Sequence, residues 1–247
     1  MSSPKAIRPL ANANEIVQIL AANGPLSPSQ ISDLIGIPRS TVYRLADGLA
    51  ALGLIEQLPT AHISLTERWL HLADAASHRE EWSHASPALD DVHVNTQLTT
   101  YLSVPHGREV VCLEWRPGSA LNLLMMRPGR TLPLHAGAAG RVMLAYGEFT
   151  VTEYLRDEPL RFNERTLTTA SALEQDVVET RSRGFVFSDE DVTEGIGAVG
   201  VPIFDRAGTA IGSLSIGGLA GEIRERLEEL ATLMHSAASQ VRELNPL

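Results

Sequence analysis

The chain has 247 residues, of which 44% are hydrophobic and 20% are charged, as expected for one large or two smaller globular domains. Its single cysteine, Cys112, excludes an intrachain disulfide and indicates a reducing compartment. No apolar run reaches the length of a membrane span, and the first ten residues are too polar for a signal peptide. A cytoplasmic protein without membrane association is therefore expected.

The charge is distributed unevenly along the chain. A net charge of −10 argues against a protein that binds polyanions through its overall charge. Of the 20 basic and 30 acidic side chains, residues 1–66 contain four of each, which leaves 16 basic and 26 acidic side chains in the remainder. The whole deficit therefore lies after residue 66. A neutral N-terminal part and an acidic C-terminal part predict two regions with different partners.

Two short helices are predicted in the N-terminal segment. The first begins at Asn12, a suitable N-cap, and ends at Gly24. Its apolar residues lie on one face and are Ile16, Ile19 and Leu20. The second begins with a capping box between Ser27 and Gln30, with Pro28 at the first helical position. Its predicted inward-facing residues are Ile31, Leu34 and Ile35.

A third helix is predicted to run from Pro38 to Gly53, after a short turn. Its apolar side chains recur at helical spacing and form an expected buried stripe of Val42, Leu45, Leu49 and Leu52. Two short helices, a glycine turn and a capped third helix are typical of a helix-turn-helix, whose last helix reads DNA. The side opposite the stripe would then meet base edges and phosphates.

Six residues of this motif are predicted to contact double-stranded DNA. They are Ser27, Arg39, Ser40, Thr41, Tyr43 and Arg44. A glycine turn, a polar helix start and an apolar stripe follow one another in the order that a recognition helix requires. The alternative is an ordinary solvated face of a helical domain, since the region carries no excess of basic residues.

A hairpin and a connecting helix are predicted next. Residues 54–66 contain two short apolar pieces around a turn at residues 58–61, which would form the wing of a winged helix. A helix is predicted over residues 67–82, with an apolar stripe of Trp69, Leu72, Ala73 and Ala76. The apolar side chains expected to pair between subunits are Ile16, Ile19 and Leu20 of the first helix and Trp69 and Leu72 of this connector.

After residue 82 the sequence pattern changes, and strand-like apolar segments alternate with predicted helices. Strands are predicted at QLTTYLSV, REVVCLEW, LNLLMM, TLPL, GFVFS, AVGVPIFD and AIGSLSIGG. Helices are predicted at SPALDDVHVN, AAGRVMLAYG and SALEQDVVETRSR, with one long closing helix over residues 221–244. A mostly antiparallel sheet flanked by helices predicts an α+β domain of the kind that senses small molecules.

Three segments make the chain resemble the IclR family of bacterial transcriptional regulators over nearly its whole length. They are IPRSTVYRLADGLAALGLI, LPLHAGAAGRVMLA and GFVFSDEDVTEGIGAVGVPIFD. The third fits the C-terminal signature of the family, with matching positions at Gly184, Ser188, Asp191, Ala198 and Ile203-Phe204-Asp205. The acid of that signature is usually Glu in the family and is Asp191 in this chain.

The resemblance implies a winged helix-turn-helix at residues 6–66, a linker helix at residues 67–82 and a GAF-like effector-binding domain at residues 83–247. It implies a ligand-responsive regulator that binds palindromic operator DNA as a homodimer or a dimer of dimers. Under this interpretation the protein is a repressor of a catabolic operon, and it needs no cofactor and no metal.

An effector pocket is also implied, position by position. Its residues would be Leu121, Leu124, Leu132, Ala138, Ala139, Ser188, Ala198, Ser215 and Gly217. His135 would orient the entrance through a backbone hydrogen bond, and direct contact of His135 with the ligand is the alternative. The small residues 137–140 begin a helix and leave free N–H groups, which suit a carboxylate or amide oxygen. The serines would add neutral hydrogen bonds to a small organic or aromatic acid or its derivative. The alternative is that these small residues serve only close helix–sheet packing.

Two departures from the family pattern bear on partners. The wing, residues 57–62, contains no Arg or Lys, so few phosphate contacts are expected from it. Ser188 stands where family members often have an acid, which argues against a cationic ligand.

Other functions are less well supported by the sequence. His71 and His78 lie two helical turns apart and cannot share a metal ion, and the acidic run 188–191 lacks the alternation of a calcium loop. That run is expected to be a solvated or gating loop. No GxSxG elbow or phosphate-binding loop is present, so catalytic residues are not predicted. A metabolite-binding enzyme and a module whose winged helix binds protein instead of DNA are the alternatives.

Overall fold

The computed structural model describes residues 6–70, 72, 82–118, 126–156 and 158–244. The chain divides into two compact units, residues 1–77 and residues 78–247. Within the described ranges, no helix is both long enough and apolar enough to cross a membrane.

The N-terminal unit consists of three helices followed by an antiparallel hairpin. Its elements are α1 (Arg8–Asn23), α2 (Pro28–Ile35), α3 (Arg39–Ala51), β1 (Ile55–Gln57) and β2 (Ile63–Leu65). The predicted capping box of α2 is present: Gln30 N–H donates to Ser27 Oγ at 3.3 Å, and Ser27 N–H donates to Gln30 Oε1 at 2.9 Å. Gly53 follows α3 with a φ of +70°, which favours glycine. These elements form the predicted winged helix-turn-helix.

The core of this unit is one apolar cluster, and it corrects the predicted pattern at several positions. Its buried members are Ile16, Leu20, Ile31, Val42, Ala46, Leu49, Ile55 and Ile63. Leu34 and Leu52 are predicted to be buried but are 59% and 60% exposed. Leu34 lies in the last turn of the short α2, and Leu52 is the residue at which the chain leaves α3. α1 begins at Arg8 instead of Asn12, because Pro9 supplies the fixed φ of a first helical turn.

Most of the predicted linker helix, residues 67–82, lies outside the described residues. Residues 68–70 are helical, and two hydrogen bonds attach this segment to the end of α3. Thr66 Oγ1 donates to the Gly53 carbonyl and Trp69 Nε1 donates to the Leu54 carbonyl, both at 2.6 Å. The Trp69 indole is therefore held within the N-terminal unit.

The C-terminal unit is built on a six-stranded antiparallel sheet in the order β5-β4-β3-β8-β7-β6. The strands are β3 (Thr99–His106), β4 (Glu109–Arg116), β5 (Thr131–Pro133), β6 (Val186–Asp189), β7 (Ile196–Phe204) and β8 (Ala210–Leu219). The helices are α4 (Ser86–Thr96), α5 (Gly137–Tyr146), α6 (Val151–Tyr154), α7 (Ala170–Arg183), α8 (Ala220–Glu225) and α9 (Leu227–Leu244).

The sheet separates two apolar cores, because successive residues of a strand point to opposite faces. On one face, α4 and α9 pack over strand residues that include Leu102, Val199 and Leu214. On the other face, α5 packs over Tyr101 and Ala198, and α7 packs against α5. This α+β arrangement is the GAF-like domain that the resemblance implies.

Three details of this unit differ from the predicted elements. The closing helix is divided at Arg226, whose φ of −108° departs from helical geometry. Periodicity gives no sign of this break, because the buried Ile223 and Leu230 keep the spacing of one continuous helix. The short α6 is too brief for a periodic signal. The strand predicted at residues 121–126 lies outside the described residues except for Met126, which is not in a strand.

Candidate functional site

The polar side of α3 is the first candidate site. Val42, Ala46 and Leu49 point into the core, so the opposite side of the helix faces solvent. Four of the predicted contact residues on this helix are exposed, namely Arg39, Ser40, Tyr43 and Arg44. The fifth, Thr41, is half-buried. Neither arginine forms an ion pair with a described residue, so both charges are available to a partner.

Ser27, the sixth predicted contact residue, has a structural role. Its Oγ donates to Gln30 Oε1 at 2.8 Å and accepts from the Gln30 N–H. Because a hydroxyl has a single hydrogen, Ser27 has none left to donate to a phosphate oxygen.

The second candidate site is a cavity of about 70 Å³ between α5 and the sheet. Its walls come from Tyr101, Met126, Leu132, Gly137, Ala138, Ala139, Ser188, Val192, Thr193, Ile196, Gly197, Ala198, Ser215 and Gly217. Seven of the ten predicted pocket residues are therefore brought together here. The two predicted leucines at 121 and 124 lie outside the described residues. His135 is described but does not line the cavity.

Small residues around α5 serve two different purposes. A Cβ atom at Gly140 would lie 2.4 Å from the Pro133 carbonyl oxygen, so this glycine permits close packing of α5 on β5. A Cβ atom at Gly200 would lie 3.0 Å from the backbone of Ala138, so β7 also approaches α5 closely. Ala138 and Ala139 line the cavity. The packing interpretation therefore holds for the glycines at 140 and 200, while the alanines leave space.

A buried cluster of charges lies behind the cavity wall. Arg141 donates its Nε to Asp176 Oδ2 at 2.9 Å and a second N–H to the other oxygen of the same carboxylate. Its Nη1 donates to Asp191 Oδ2 at 3.2 Å. One guanidinium therefore faces two carboxylates, all largely shielded from solvent. Buried charges persist only when they are paired and hydrogen-bonded, so this cluster is a fixed part of the fold.

Asp191 also corrects two expectations about the pocket. It is 2% exposed, so it is not part of a solvated loop. Its Oδ2 accepts the Gly137 N–H at 3.1 Å, and its Oδ1 accepts the Ser188 hydroxyl. One of the N–H groups expected to be free at the start of α5 is thus already occupied. Ser188 has donated its only hydrogen, so it can accept a hydrogen bond from a ligand but not donate one.

His135 is a structural residue in this arrangement. Its Nε2 lies 2.7 Å from the Leu160 carbonyl and its Nδ1 lies 2.7 Å from the Tyr154 hydroxyl. A carbonyl only accepts, so Nε2 carries the hydrogen and Nδ1 accepts from Tyr154. Burial lowers the pKa of His135, which keeps the ring neutral. Both ring nitrogens are occupied, and effector contact by His135 is not supported.

Tyr101 is a cavity residue that the sequence analysis missed. Its hydroxyl is buried and has no hydrogen-bond partner among the described residues. Burial, and to a lesser degree Cys112, raises the pKa of Tyr101, so the hydroxyl stays protonated and can donate. The Ser215 hydroxyl, on the neighbouring strand directly opposite Tyr101, also lacks a described partner. The cavity therefore offers two neutral donors, and none of its described wall residues is charged.

Cys112 lacks the environment of a reactive thiol. Burial raises the pKa of the Cys112 thiol to about 12, so the thiol is protonated at neutral pH. This agrees with its interpretation as a small apolar residue. Among the described residues, no three His, Cys, Asp or Glu side chains are placed to share a metal ion.

Comparison with known proteins finds relatives over the whole chain. The family model for the bacterial transcriptional regulator IclR C-terminal domain matches residues 73–243, and the model for the IclR helix-turn-helix domain matches residues 9–59. The HTH-type transcriptional regulator BhcR of Paracoccus denitrificans is 29% identical over 248 residues, which cover 97% of this chain and 86% of BhcR. The HTH-type transcriptional repressor AllR of Salmonella typhimurium is 26% identical over 231 residues, covering 91% and 84%.

A solved structure shares the fold of the entire chain. It is an IclR homolog from Microbacterium hydrocarbonoxydans in complex with 4-hydroxybenzoate, with a TM-score of 0.79 and 22% sequence identity. The match covers 96% of this chain and 98% of the homolog. The order of the two units and their folds are therefore common to both proteins.

Proposed function

Because the chain belongs to the IclR family of bacterial transcriptional regulators, we propose that it is a repressor of a catabolic operon that responds to a small organic acid or acid derivative. The family consists of DNA-binding transcriptional regulators and not of enzymes. The observation that carries the ligand-responsive part is the cavity beside α5, with its two free hydroxyl donors. The repressor AllR supports the sign of regulation. A sensor of a small acid is suited to control the genes that consume it.

The side chains of the cavity wall favour a ligand that is held by apolar contacts and by neutral hydrogen bonds. Met126, Leu132 and Val192 offer apolar walls, which favour a compound with an apolar body. The Tyr101 and Ser215 hydroxyls favour an oxygen acceptor on that body, such as one from a carboxyl, ester or amide group. The cavity of about 70 Å³ leaves room for a small compound between α5 and the sheet. The complex of the Microbacterium homolog supports a small acid in this fold.

Operator contact is assigned to the exposed start of α3. Arg39 and Arg44 are unpaired, and an arginine can bind a guanine edge with two parallel hydrogen bonds. Ser40, Thr41 and Tyr43 provide hydroxyls on the same helix. Ser27 acts indirectly, because it fixes the start of α2.

A homodimer or a dimer of dimers on a palindromic operator follows from the same proposal. The first-helix residues expected to pair between subunits do not support it, because Ile16 and Leu20 are buried in their own core. Exposed apolar side chains at Ile7, Leu10 and Leu70 are better candidates for subunit contact. Linking two DNA-binding units would raise affinity without new contacts per unit.

The proposal is tested by combining a thermal-shift screen with DNA binding. Small organic acids and their amides or esters are screened for a concentration-dependent rise in Tm. A compound that raises Tm is expected to weaken binding to DNA from upstream of the gene by about 5- to 150-fold, a coupling of about 1–3 kcal/mol. Retardation of that DNA in a gel measures the effect. Binding that a stabilising ligand leaves unchanged, or strengthens, would contradict a repressor released by its effector.

Replacing Tyr101 by Phe is expected to have opposite effects on stability and on ligand binding. Removal of an unpartnered buried hydroxyl should leave the ligand-free protein as stable as before or more stable by up to about 1 kcal/mol. Ligand affinity should fall about two- to tenfold, as expected for one neutral hydrogen bond. Urea unfolding and calorimetric titration measure the two quantities.

Tyr146→Phe is the matched control for this experiment. The Tyr146 hydroxyl donates to the Thr180 carbonyl at 3.3 Å and does not line the cavity. Its removal should cost stability and leave ligand affinity unchanged. If Tyr101→Phe behaves like the control, Tyr101 does not contact the ligand.

A further inference from the structure

Two notches flank α3 and differ in charge. The notch toward α1 is lined by Arg8, Pro9, Asn12, Ile37, Pro38, Thr41, Arg44 and Leu45. The notch toward α2 and the hairpin is lined by Pro28, Tyr43, Ala46, Asp47, Ala50, Ile55, Glu56, Gln57 and Ile63. The first contains two arginines and no acid, whereas the second contains two acids and no cation. Although residues 1–66 are neutral as a whole, four of their charges are divided by sign between the two flanks of α3.

The notch between α1 and α3 contains the groups of an anion site. Its volume is about 230 Å³, which exceeds the needs of a phosphate group. Thr41, Arg44 and Leu45 lie at i, i+3 and i+4 on α3 and therefore form one face of that helix. Arg8 comes from the first turn of α1 and Asn12 from the next turn, on the opposite wall.

The charges of this notch are not neutralised within the protein. Arg8 and Arg44 are exposed, and neither forms an ion pair with a described residue. Two unpaired guanidinium groups that line one notch repel each other unless an anion lies between them. The Thr41 hydroxyl and the Asn12 amide can donate hydrogen bonds to the same anion.

We propose that this notch binds a backbone phosphate of DNA between Arg8 and Arg44, with Thr41 and Asn12 as additional donors. The inference deepens the operator contact proposed above and rests on it. It assigns Arg44 to the phosphate backbone, and it adds Arg8 and Asn12, which belong to α1 and not to the helix-turn-helix pair. Arg39, outside the notch, is then the arginine left to read a base. The acidic notch, which includes Asp47 and Glu56, lies on the other flank of α3.

Salt dependence distinguishes phosphate contact from base contact. Each lost phosphate contact makes the negative slope of log affinity against log salt shallower by about 0.9. Arg8→Ala and Arg44→Ala are therefore expected to lower this slope by about one per bound subunit, on a selected operator and on a duplex of arbitrary sequence alike. Between 50 and 200 mM salt this amounts to a three- to fourfold smaller loss of affinity per contact. Arg8→Lys should retain most of the slope. Fluorescence anisotropy with both duplexes provides the measurement.

Two matched variants complete the experiment. Arg39→Ala should weaken operator binding and leave binding to the arbitrary duplex nearly unchanged, since base readout is absent there. Glu56→Gln, in the acidic notch, should change the slope on neither duplex. An Arg8→Ala protein that melts like the wild type and keeps the full slope on both duplexes would overturn the phosphate site alone. A wild-type protein that binds neither duplex would remove the operator contact as well.

Discussion

Replacing Arg141 by Met is expected to destabilise the C-terminal unit by about 3–5 kcal/mol, because it leaves two carboxylates buried without their cation. Methionine fills much of the arginine stem, so the loss reports on charge more than on volume. The Phe187 carbonyl, which accepts from Arg141 Nη1 at 3.3 Å, would also lose a donor. The midpoint of urea unfolding should fall while the slope of the transition stays constant.

Arg183→Met provides the control for this prediction. Arg183 lies on α7, pairs with Glu179 at 3.1 Å and has a side chain that is 40% exposed. An exposed ion pair of this kind contributes about 0–1 kcal/mol. Equal losses in the two variants would show that the buried cluster is no more important than a surface pair. A large loss of stability in Arg141→Met alone would show that Arg141 holds the buried polar cluster behind the cavity together.

Helices whose apolar residues recur at regular helical spacing were predictable from the sequence, but the residues at which they end were not. The capping box at Ser27 and the apolar spacing of α3 identify the helix-turn-helix, because both are local signals. The exposure of Leu52 was missed, because the chain leaves α3 at this residue and its side chain no longer continues the buried stripe. The division of the closing helix at Arg226 was missed for a related reason, because buried residues on both sides keep one spacing.

The candidate cavity and its two serines were predicted through the resemblance, but Tyr101 and Asp176 were not. Seven wall residues follow from pocket positions carried over from the family. Tyr101 was missed because β3 is buried on both faces, so alternation does not show which residues face the cavity. Asp176 was missed because its partner Arg141 lies 35 residues away in the sequence. A single arginine in the otherwise small and apolar helix GAAGRVMLAY was a readable sign that a buried acid must exist.

The cluster around Arg141 also bears on the chemistry of the proposed ligand. Asp191 holds Gly137 and Ser188, so it fixes two parts of the wall at once. The cluster has one cation and two anions, and its net negative charge opposes a third carboxylate at the same end of α5. An acid would therefore be held through the Tyr101 and Ser215 hydroxyls, away from Asp191, or as a neutral derivative.

Replacing Ala138 by Leu is expected to abolish ligand binding while the protein continues to bind its operator. Leucine adds three carbon atoms inside a cavity of about 70 Å³, so the bound compound would lose its space. A Cβ atom at Gly200 would lie 3.0 Å from the Ala138 backbone, so α5 packs closely on β7 beside the cavity. The concentration-dependent rise in Tm should disappear, and operator binding should no longer respond to the compound.

Ala145→Leu separates loss of the ligand from general overpacking. Ala145 lies on the same helix and is fully buried, but it does not line the cavity. Both variants should lose about 1–3 kcal/mol of stability, because an added side chain strains a packed core. Only Ala138→Leu should lose the ligand-induced rise in Tm, measured as the shift relative to each variant's own ligand-free Tm. If Ala138→Leu remains folded and keeps the full shift, the compound binds elsewhere, because no ligand in this cavity could tolerate a leucine in its wall.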